Sequence, residues 1–284
     1  FGSDLNAYTA VDQTVYRVCN VPSNNIASLD SCLLILKDWS NGLTLDAEEI
    51  DKERGVIHDE WRQRSSASMR MLDRNLEKLY PGSKYGKRMP IGLMSVVDNF
   101  KPEALRAYYH KWYRPDNQAI IVVGDVDVNR TEQKIKEMFS SIKMPANAAP
   151  VVDEPVPDNN EAIIIVDKDK EQQVDVVQIM FKHDAIPDSL KSNMFYLLQQ
   201  YAVNLCTQML NSRLGEIAQN PDCPFVQAFV QDGEYIYSKT KDAFTLICIP
   251  KPGKTEEAIS ATVREVLRAA KFGYTATEYV RAKD

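Results

Sequence analysis

The feature that most constrains the fold is an internal duplication, in which matched residues lie about 230 positions apart. In both copies, two strand-like runs lead to a proline that opens a helix, Pro22 in the first and Pro252 in the second. A glycine, a threonine and acidic residues then follow in the same order. The matched positions are Gly42 with Gly273, Thr44 with Thr275, and Glu48-Glu49 with Glu278. The duplication predicts two copies of one α+β domain.

The two copies are out of phase along the chain. The chain begins part-way through the first copy and stops at Asp284, in the helix that matches the acidic helix of the first copy. We therefore expect each copy to be incomplete and the chain to be a fragment of a longer protein. Between 144 and 160 the composition changes to Pro, Ala, Asn and Asp without any period, which is typical of a linker.

The sequence thus predicts the latter part of an N-terminal domain at 1–145, a linker at 146–160 and the first part of a related domain at 161–284. The expected fold class is α+β, with paired two-layer domains in which helices pack on an antiparallel sheet. Residue patterns predict strands at 4–10, 14–21, 119–125, 162–166, 174–181, 225–230 and 244–250. They predict helices at 22–42, 46–79, 102–112, 130–142, 190–218 and 255–270.

Composition excludes several classes of function. The chain has 284 residues and a net charge of -6, with Lys and Arg scattered, so a nucleic-acid-binding surface is not expected. No apolar run reaches the roughly 18 residues that a membrane span needs. The five cysteines are widely spaced without a C-x-x-C motif, which favours core thiols and leaves the redox compartment open.

The acidic segment that begins at Asp46 contains two carboxylates on one side of a predicted helix. Asp46 is its expected N-cap, and Glu53 and Glu60 fall about 20° apart on a helical wheel, on the side of Val56 and Ile57. Carboxylates on an apolar face need a partner, which is either a metal ion or an arginine. His58 falls on the opposite side, so we expect it to be a solvated surface residue.

Several motifs resemble one known family. They are Asp4-Leu-Asn-Ala-Tyr-Thr9 with Thr14-Val-Tyr-Arg17, Glu49-Ile-Asp-Lys-Glu-Arg-Gly-Val-Ile-His-Asp-Glu60, Tyr85-Gly86 with Ile91-Gly92, and Tyr113-Arg-Pro-Asp-Asn-Gln118 running into Val122-Val-Gly-Asp-Val126. Together they resemble the insulinase/pitrilysin family of zinc peptidases, whose inverted motif is H-x-x-E-H. The resemblance covers most of 1–140 and, more loosely, 160–284.

The resemblance implies a clam-like zinc endopeptidase of paired α+β domains that encloses unfolded peptides. Two histidines of H-x-x-E-H and one distal glutamate hold the zinc, which activates a water molecule, and the distal glutamate matches Glu60. Glu53 matches an acid that orients a zinc ligand without binding the metal itself. Asn6, Ala7 and Tyr8 match the edge strand along which the substrate backbone lies.

This sequence departs from the family pattern at one essential point. No H-x-x-E-H occurs in it, and its three histidines are His58, His110 and His183. In the family the motif lies further upstream than the 59 residues that precede Glu60, so we expect it before Phe1. The chain would then supply a single zinc ligand, and we expect neither bound zinc nor catalysis from it alone.

The resemblance implies peptide substrates, together with the remaining domains of the same chain or a partner half. A different function also stays open, because some members of the family have lost the metal and act as structural or partner subunits. Glu53 and Glu60 argue against that alternative, since without zinc they would only destabilise an apolar face unless an arginine replaced the metal. The compartment is left open, with the bacterial periplasm favoured by the resemblance.

Overall fold

The computed structural model describes residues 4–283, and the contacts within it divide the chain into two compact units. The first unit consists of the residues up to Ser65 and of Arg88–Val152, and the second consists of Ser66–Lys87 and of the residues from Asp153 onward. In chain order the strands and helices are β1 (Asp4–Thr9), β2 (Thr14–Cys19), α1 (Ile26–Asn41), α2 (Ala47–Arg64), α3 (Ala67–Leu79), α4 (Met94–Asn99), α5 (Pro102–Trp112), α6 (Val128–Phe139), β3 (Val177–Asp184), α7 (Asp188–Lys191), α8 (Met194–Ala218), β4 (Phe225–Glu234), β5 (Lys241–Pro250), α9 (Thr255–Phe272) and α10 (Ala276–Lys283).

In the first unit, β1 and β2 form an antiparallel hairpin that leads into α1. The side chain of Asn25 caps α1 by accepting a hydrogen bond from the Ser28 amide at 3.2 Å. The buried side chains of this unit include Cys32, Leu33, Ile50 and Tyr109, which come from α1, α2 and α5. Helices therefore provide most of its core, and the hairpin is largely exposed.

In the second unit, three antiparallel strands form a sheet in the order β3-β5-β4. The central strand β5 is buried along most of its length, as expected for a strand paired on both edges. Helices α8 and α9 pack against the sheet. The core consists of Leu210, Leu214, Cys223, Phe225, Ala228, Val230, Leu246, Cys248, Ala258 and Ala269. The expected fold class, helices packed on antiparallel sheets, is confirmed, as is the predicted strand pair that feeds a helix after Pro252.

A buried arginine joins the three helices that end the second unit. Arg213 of α8, which is 9% exposed, pairs with Glu278 of α10 and lies 3.4 Å from a carboxylate oxygen of Glu265 on α9. Its guanidinium also donates to the Gly273 carbonyl at 2.9 Å and stacks on the Tyr274 ring. Because each of these partners comes from a different helix or turn, Arg213 fixes how α10 leaves α9.

Residues 66–87, which the sequence analysis placed in the N-terminal domain, belong to the second unit. Tyr80, which is 1% exposed, donates its hydroxyl hydrogen to the Tyr235 carbonyl, and Tyr235 in turn donates to the Leu79 carbonyl at 2.8 Å. Arg70 and Arg74 of α3 each make a two-pronged ion pair, with Asp169 and Asp167 respectively. Such forked pairs are among the strongest side-chain contacts in proteins.

The structure differs from the sequence-based expectation in the predicted strands at 119–125 and 162–166. Among the described residues, neither segment pairs with a strand. A strand forms only when a second strand completes its ladder of hydrogen bonds, and residue preference alone does not supply that partner. These two strand predictions are therefore wrong for the structure as it stands.

Two boundaries also differ from expectation. The helix predicted over 46–79 breaks at Ser65-Ser66, where the Ser66 hydroxyl accepts from the Met69 amide at 3.3 Å and starts α3 as its N-cap. Part of the expected linker at 146–160 is fastened to the second unit. There the Pro157 carbonyl accepts from the Lys182 ammonium at 2.9 Å, and Val156 is buried.

Between residues 4 and 283, none of the helices combines the length and apolar character needed to cross a bilayer.

Candidate functional site

Helix α2 carries the candidate metal ligand, and its start follows from local sequence. The Asp46 carboxylate accepts hydrogen bonds from the Glu48 amide at 2.9 Å and the Glu49 amide at 3.4 Å. Two acids in the first turn then complement the positive end of the helix dipole. The predicted N-cap is confirmed.

One face of α2 packs on α4 through polar contacts. Arg54 donates to the Phe100 carbonyl at 2.7 Å and to the Val97 carbonyl, and its guanidinium lies 4.1 Å from the centre of the Phe100 ring. His58, one turn later, lies 2.6 Å from Asp98 through its Nε2 atom. His58 lies at the surface, with its side chain 34% exposed, but it is paired with Asp98 and is therefore less solvated than expected.

Glu53 and Glu60 lie beside this packed face. At about 100° per residue, Glu53 and Glu60 are about 60° and 80° from Ile50 on the wheel. Glu53 is exposed, Val56 beside it is 54% exposed, and the Glu60 side chain is 39% exposed. Glu60 accepts an ion pair from Arg64 at 2.6 Å, one turn further along the helix. Both carboxylates therefore point away from α4, and in this unit their side of α2 is open.

The described residues do not by themselves fit a zinc site. Between residues 4 and 283, no group of three or more His, Cys, Asp or Glu side chains converges on one point. Glu60 is a single carboxylate, and the histidine nearest to it in sequence, His58, is engaged with Asp98. A zinc ion needs four ligands in tetrahedral arrangement, of which protein groups supply at least three.

The candidate peptide-binding residues lie on β1. Asn6, Ala7 and Tyr8 are all exposed and pair with Arg17, Tyr16 and Val15 of β2. Among the described residues, β1 has no strand on its other edge, so that edge is open. The Asn6 side chain covers part of it, because its oxygen accepts from the Ala7 amide at 2.8 Å.

A hydrogen bond between two tyrosines links the hairpin to the end of α5. The hydroxyl groups of Tyr16 on β2 and Tyr113 after α5 are 2.5 Å apart, and the Tyr16 ring lies 5.5 Å from that of Trp39 on α1. Burial, with a further contribution from Tyr16, raises the pKa of Tyr113 above its ordinary value. Tyr16 and Tyr113 both lie in motifs that carry the family resemblance, but only the structure shows that they touch.

The chain belongs to the insulinase family of peptidases, M16. Residues 1–87 match the family model described as Insulinase (Peptidase family M16), and residues 99–284 match the model described as Peptidase M16 inactive domain. The resemblance read from the sequence motifs is confirmed.

The chain is similar to proteins that are named zinc proteases. The chain is 30% identical over 279 residues to the probable zinc protease PqqL of Escherichia coli. The matched region makes up 98% of this chain and 29% of that protein. It is 30% identical over 226 residues to the zinc protease PQQL-like of Arabidopsis thaliana, covering 79% of this chain and 23% of the relative. The crystal structure of the first half of the periplasmic protease PqqL from Escherichia coli superposes with a TM-score of 0.82 at 28% identity, over 98% of this chain and 58% of that one. The chain thus spans less than a third of the length of PqqL.

Proposed function

We propose that this chain is part of a zinc-dependent endopeptidase and that Glu60 is the zinc ligand it contributes. The observation that carries the proposal is the position of Glu60 on α2, where its carboxylate faces away from α4 and, among the described residues, forms an ion pair with Arg64. An exposed ion pair of this spacing contributes about 0.3–0.5 kcal/mol, which is too little to keep the carboxylate from a stronger ligand. The names of the relatives support the choice of zinc.

Glu53 is proposed to orient a zinc ligand without binding the metal. It lies on the same side of α2 as Glu60 and, seven residues earlier, two turns away along the helix. Its exposed carboxylate is free of the α4 contacts that engage Arg54 and His58. A carboxylate in this position can accept a hydrogen bond from a metal-bound imidazole and fix its orientation.

The open edge of β1 is the proposed binding site for the substrate backbone. A peptide that adds to this edge would exchange main-chain hydrogen bonds with β1, which accepts any sequence that can be extended. The Asn6 side chain would have to leave the Ala7 amide for the added strand to bond there. Binding should therefore depend on the main chain of Ala7 and on the mobility of Asn6.

The test is cleavage of an unstructured fluorogenic peptide by the longer protein that contains this chain. We expect activity that is abolished by a chelator and restored by zinc, and that falls by about 100-fold or more in Glu60→Gln, since outer partners of a metal already cost 10- to 100-fold. Glu53→Gln should lose activity less severely. Asp59→Asn, a neighbouring exposed acid that is paired with Arg62, is the matched control and should retain full activity.

A second function is favoured by one observation, the match of residues 99–284 to the domain described as inactive. In that case the longer protein would be a structural or partner subunit of a peptidase. It would then cleave no peptide under any metal condition, and Glu60→Gln would behave like Asp59→Asn. The periplasm is the proposed compartment, on the basis of the relative described as a periplasmic protease, and cell fractionation tests it.

A further inference from the structure

A short acidic segment of the linker lies on the surface of the second unit. Residues 153–158 read Asp-Glu-Pro-Val-Pro-Asp and form neither a helix nor a strand. Val156, in the middle of this segment, is 6% exposed, whereas both prolines and both aspartates are exposed. One buried apolar side chain and the polar contacts on either side of it therefore hold this segment, which we call the strap.

The first half of the strap is bound by residues that follow α3 and β4. The Glu154 carboxylate accepts a hydrogen bond from the Lys84 amide at 2.8 Å and lies 3.0 Å from the Lys84 ammonium. The Glu154 carbonyl accepts from the Thr240 hydroxyl at 2.6 Å, and Asp153 accepts from the Lys239 ammonium at 3.2 Å. The hydrogen bonds from Lys84 hold the pKa of Glu154 below its ordinary value, so this carboxylate is charged while the strap is bound.

The second half of the strap is bound by two lysines of the sheet. The Pro157 carbonyl accepts from the Lys182 ammonium of β3 at 2.9 Å. The Asp158 carboxylate lies 2.9 Å from the ammonium of Lys241, which begins β5 and is 5% exposed. Asp184 lies 2.7 Å from the same ammonium. Lys241 therefore keeps a carboxylate partner when the strap leaves, and its charge is not stranded in the protein.

All of these contacts run in one direction, because the strap accepts and the second unit donates in each of them. Pro155 and Pro157 have no N–H group, and ionised carboxylates are acceptors only. The donors, which together we call the strap site, come from Lys84, Lys182, Lys239, Thr240 and Lys241. Four ammonium groups with a hydroxyl and an amide fit an acidic segment that is interrupted by proline, and they would repel a basic one.

We propose that the strap site is a binding site for acidic, proline-containing peptides and that the strap is its intramolecular ligand. A tethered ligand has an effective concentration in the millimolar range, so the strap occupies the site until its ion pairs are weakened. Exposed ion pairs are individually weak, so the strap can leave without unfolding the core beneath it. Its release frees six residues of the linker and opens the site to an acidic peptide of another protein. The proposal rests on neither zinc nor peptidase activity.

Thiol labelling of Val156→Cys in the longer protein measures the opening of the strap, with mass spectrometry locating the label. A buried thiol reacts only when the segment around it opens, so the labelling rate follows the open population. Raising NaCl from about 0.1 M to about 1 M shortens the screening length from about 10 Å to about 3 Å and should speed labelling at 156 by about tenfold. Val230→Cys, at a 1% exposed core position of the same unit, is the reference and should change by less than about twofold.

A charge-neutral strap shows whether the acids hold it in place. The changes Asp153→Asn, Glu154→Gln and Asp158→Asn, combined with Val156→Cys, should speed labelling by about tenfold at about 0.1 M NaCl. Salt should then have little further effect. The matched control makes the same change in net charge at exposed acids elsewhere in this unit, namely Asp175→Asn, Glu216→Gln and Asp222→Asn. It should label at the rate of the parent protein.

A fluorescent peptide that copies residues 151–160 tests the strap site itself. It should bind saturably to the charge-neutral variant, whose own strap no longer competes, and at least about tenfold more weakly to the wild type. A copy of the peptide with its three acids replaced by Asn and Gln should bind neither protein. This second peptide leaves the protein unchanged, so its failure to bind reports on charge alone.

Two results would overturn the proposal. The first is an equal effect of salt on labelling at 156 and at 230, because the strap would then open only together with the core. The second is that the acidic peptide binds the charge-neutral variant and the wild type equally well, or binds neither of them.

Discussion

At the scale of single residues, buried charges and hydroxyl groups decide the local geometry. Arg213 is the strongest case, because its carboxylate partners lie on α9 and α10 and none of them is fully exposed. The hydrogen bonds from Arg213, followed by that from the Thr275 amide, lower the pKa of Glu278 to about 2. The folded state therefore holds Glu278 ionised well below the pH at which the unfolded chain protonates it.

The lowered pKa of Glu278 predicts that the free energy of unfolding falls as the pH is lowered. A carboxylate whose pKa is lowered on folding stabilises the protein above its unfolded pKa, here 4.5, and loses that stabilisation as pH falls towards 2. We expect a loss of about 2–3 kcal/mol in the free energy of unfolding of the second unit over this range. Urea titrations at several pH values should show a larger loss in the wild type than in Glu278→Gln, by about 2–3 kcal/mol. The loss that remains in the variant comes from other carboxylates of the unit, such as Asp167 and Asp169, whose pKa values their arginine partners also lower. Glu256→Gln, at an exposed acid of α9, should follow the wild type.

The hydroxyl pair of Tyr16 and Tyr113 leads to a second prediction in the first unit. Tyr16→Phe should lower the free energy of unfolding by about 1 kcal/mol, because it removes one partner of a half-buried hydrogen bond. Since burial raises the pKa of Tyr113, the stabilising neutral form persists in the folded state above pH 10 and is lost as pH rises further. Tyr108→Phe, at a 58% exposed position of α5, is the control, and an equal effect there would refute the assignment.

At the scale of elements, the sequence predicted helices well where residues close to the helix end determine that end. The N-cap at Asp46, the proline at the start of α5 and the single acid Glu278 in the first turn of α10 all act within a few residues of the helix end. The sequence failed at Ser65-Ser66, where a polar side chain competes for the backbone and ends one helix while starting another. It also failed at 119–125 and 162–166, since strand formation depends on a distant partner.

The packing of residues 66–87 within the second unit could not be predicted from sequence either, because contacts such as Arg74–Asp167 and Tyr80–Tyr235 join residues 93 and 155 positions apart. It gives a third prediction. Tyr80→Phe should lower the free energy of unfolding of the second unit by about 1 kcal/mol, since it removes the hydrogen bonds that the buried Tyr80 hydroxyl donates to the Tyr235 carbonyl and accepts from the Tyr237 amide, both of which keep other partners. Tyr279→Phe, at a 44% exposed tyrosine of α10, should change it little. Equal midpoints in urea for both variants would contradict the observed packing.

At the scale of the whole molecule, the duplication was readable because it repeats short signals at a constant spacing, and the order β1, β2, α1, α2 in the first copy matches the order β4, β5, α9, α10 in the second. The sequence also identified Glu53 and Glu60 as a pair on one side of α2. It misjudged the packed face, because Arg54 and His58 contact α4 in place of the apolar stripe through Val56. The assignment of domains at 1–145 and 161–284 stays a prediction about the longer protein, within which residues 66–87 join the second unit here.

The metal content of the longer protein tests the central claim most directly. Purified with zinc and then dialysed, the wild type should retain about one zinc per chain, and Glu60→Gln should retain almost none, because each ligand of a three-ligand site is needed for tight binding. Asp59→Asn should keep the metal. His58→Ala should also keep it while lowering the free energy of unfolding, since His58 contacts Asp98 and turns away from Glu60. If elemental analysis finds that His58→Ala loses the zinc and Glu60→Gln keeps it, the assignment of Glu60 is wrong.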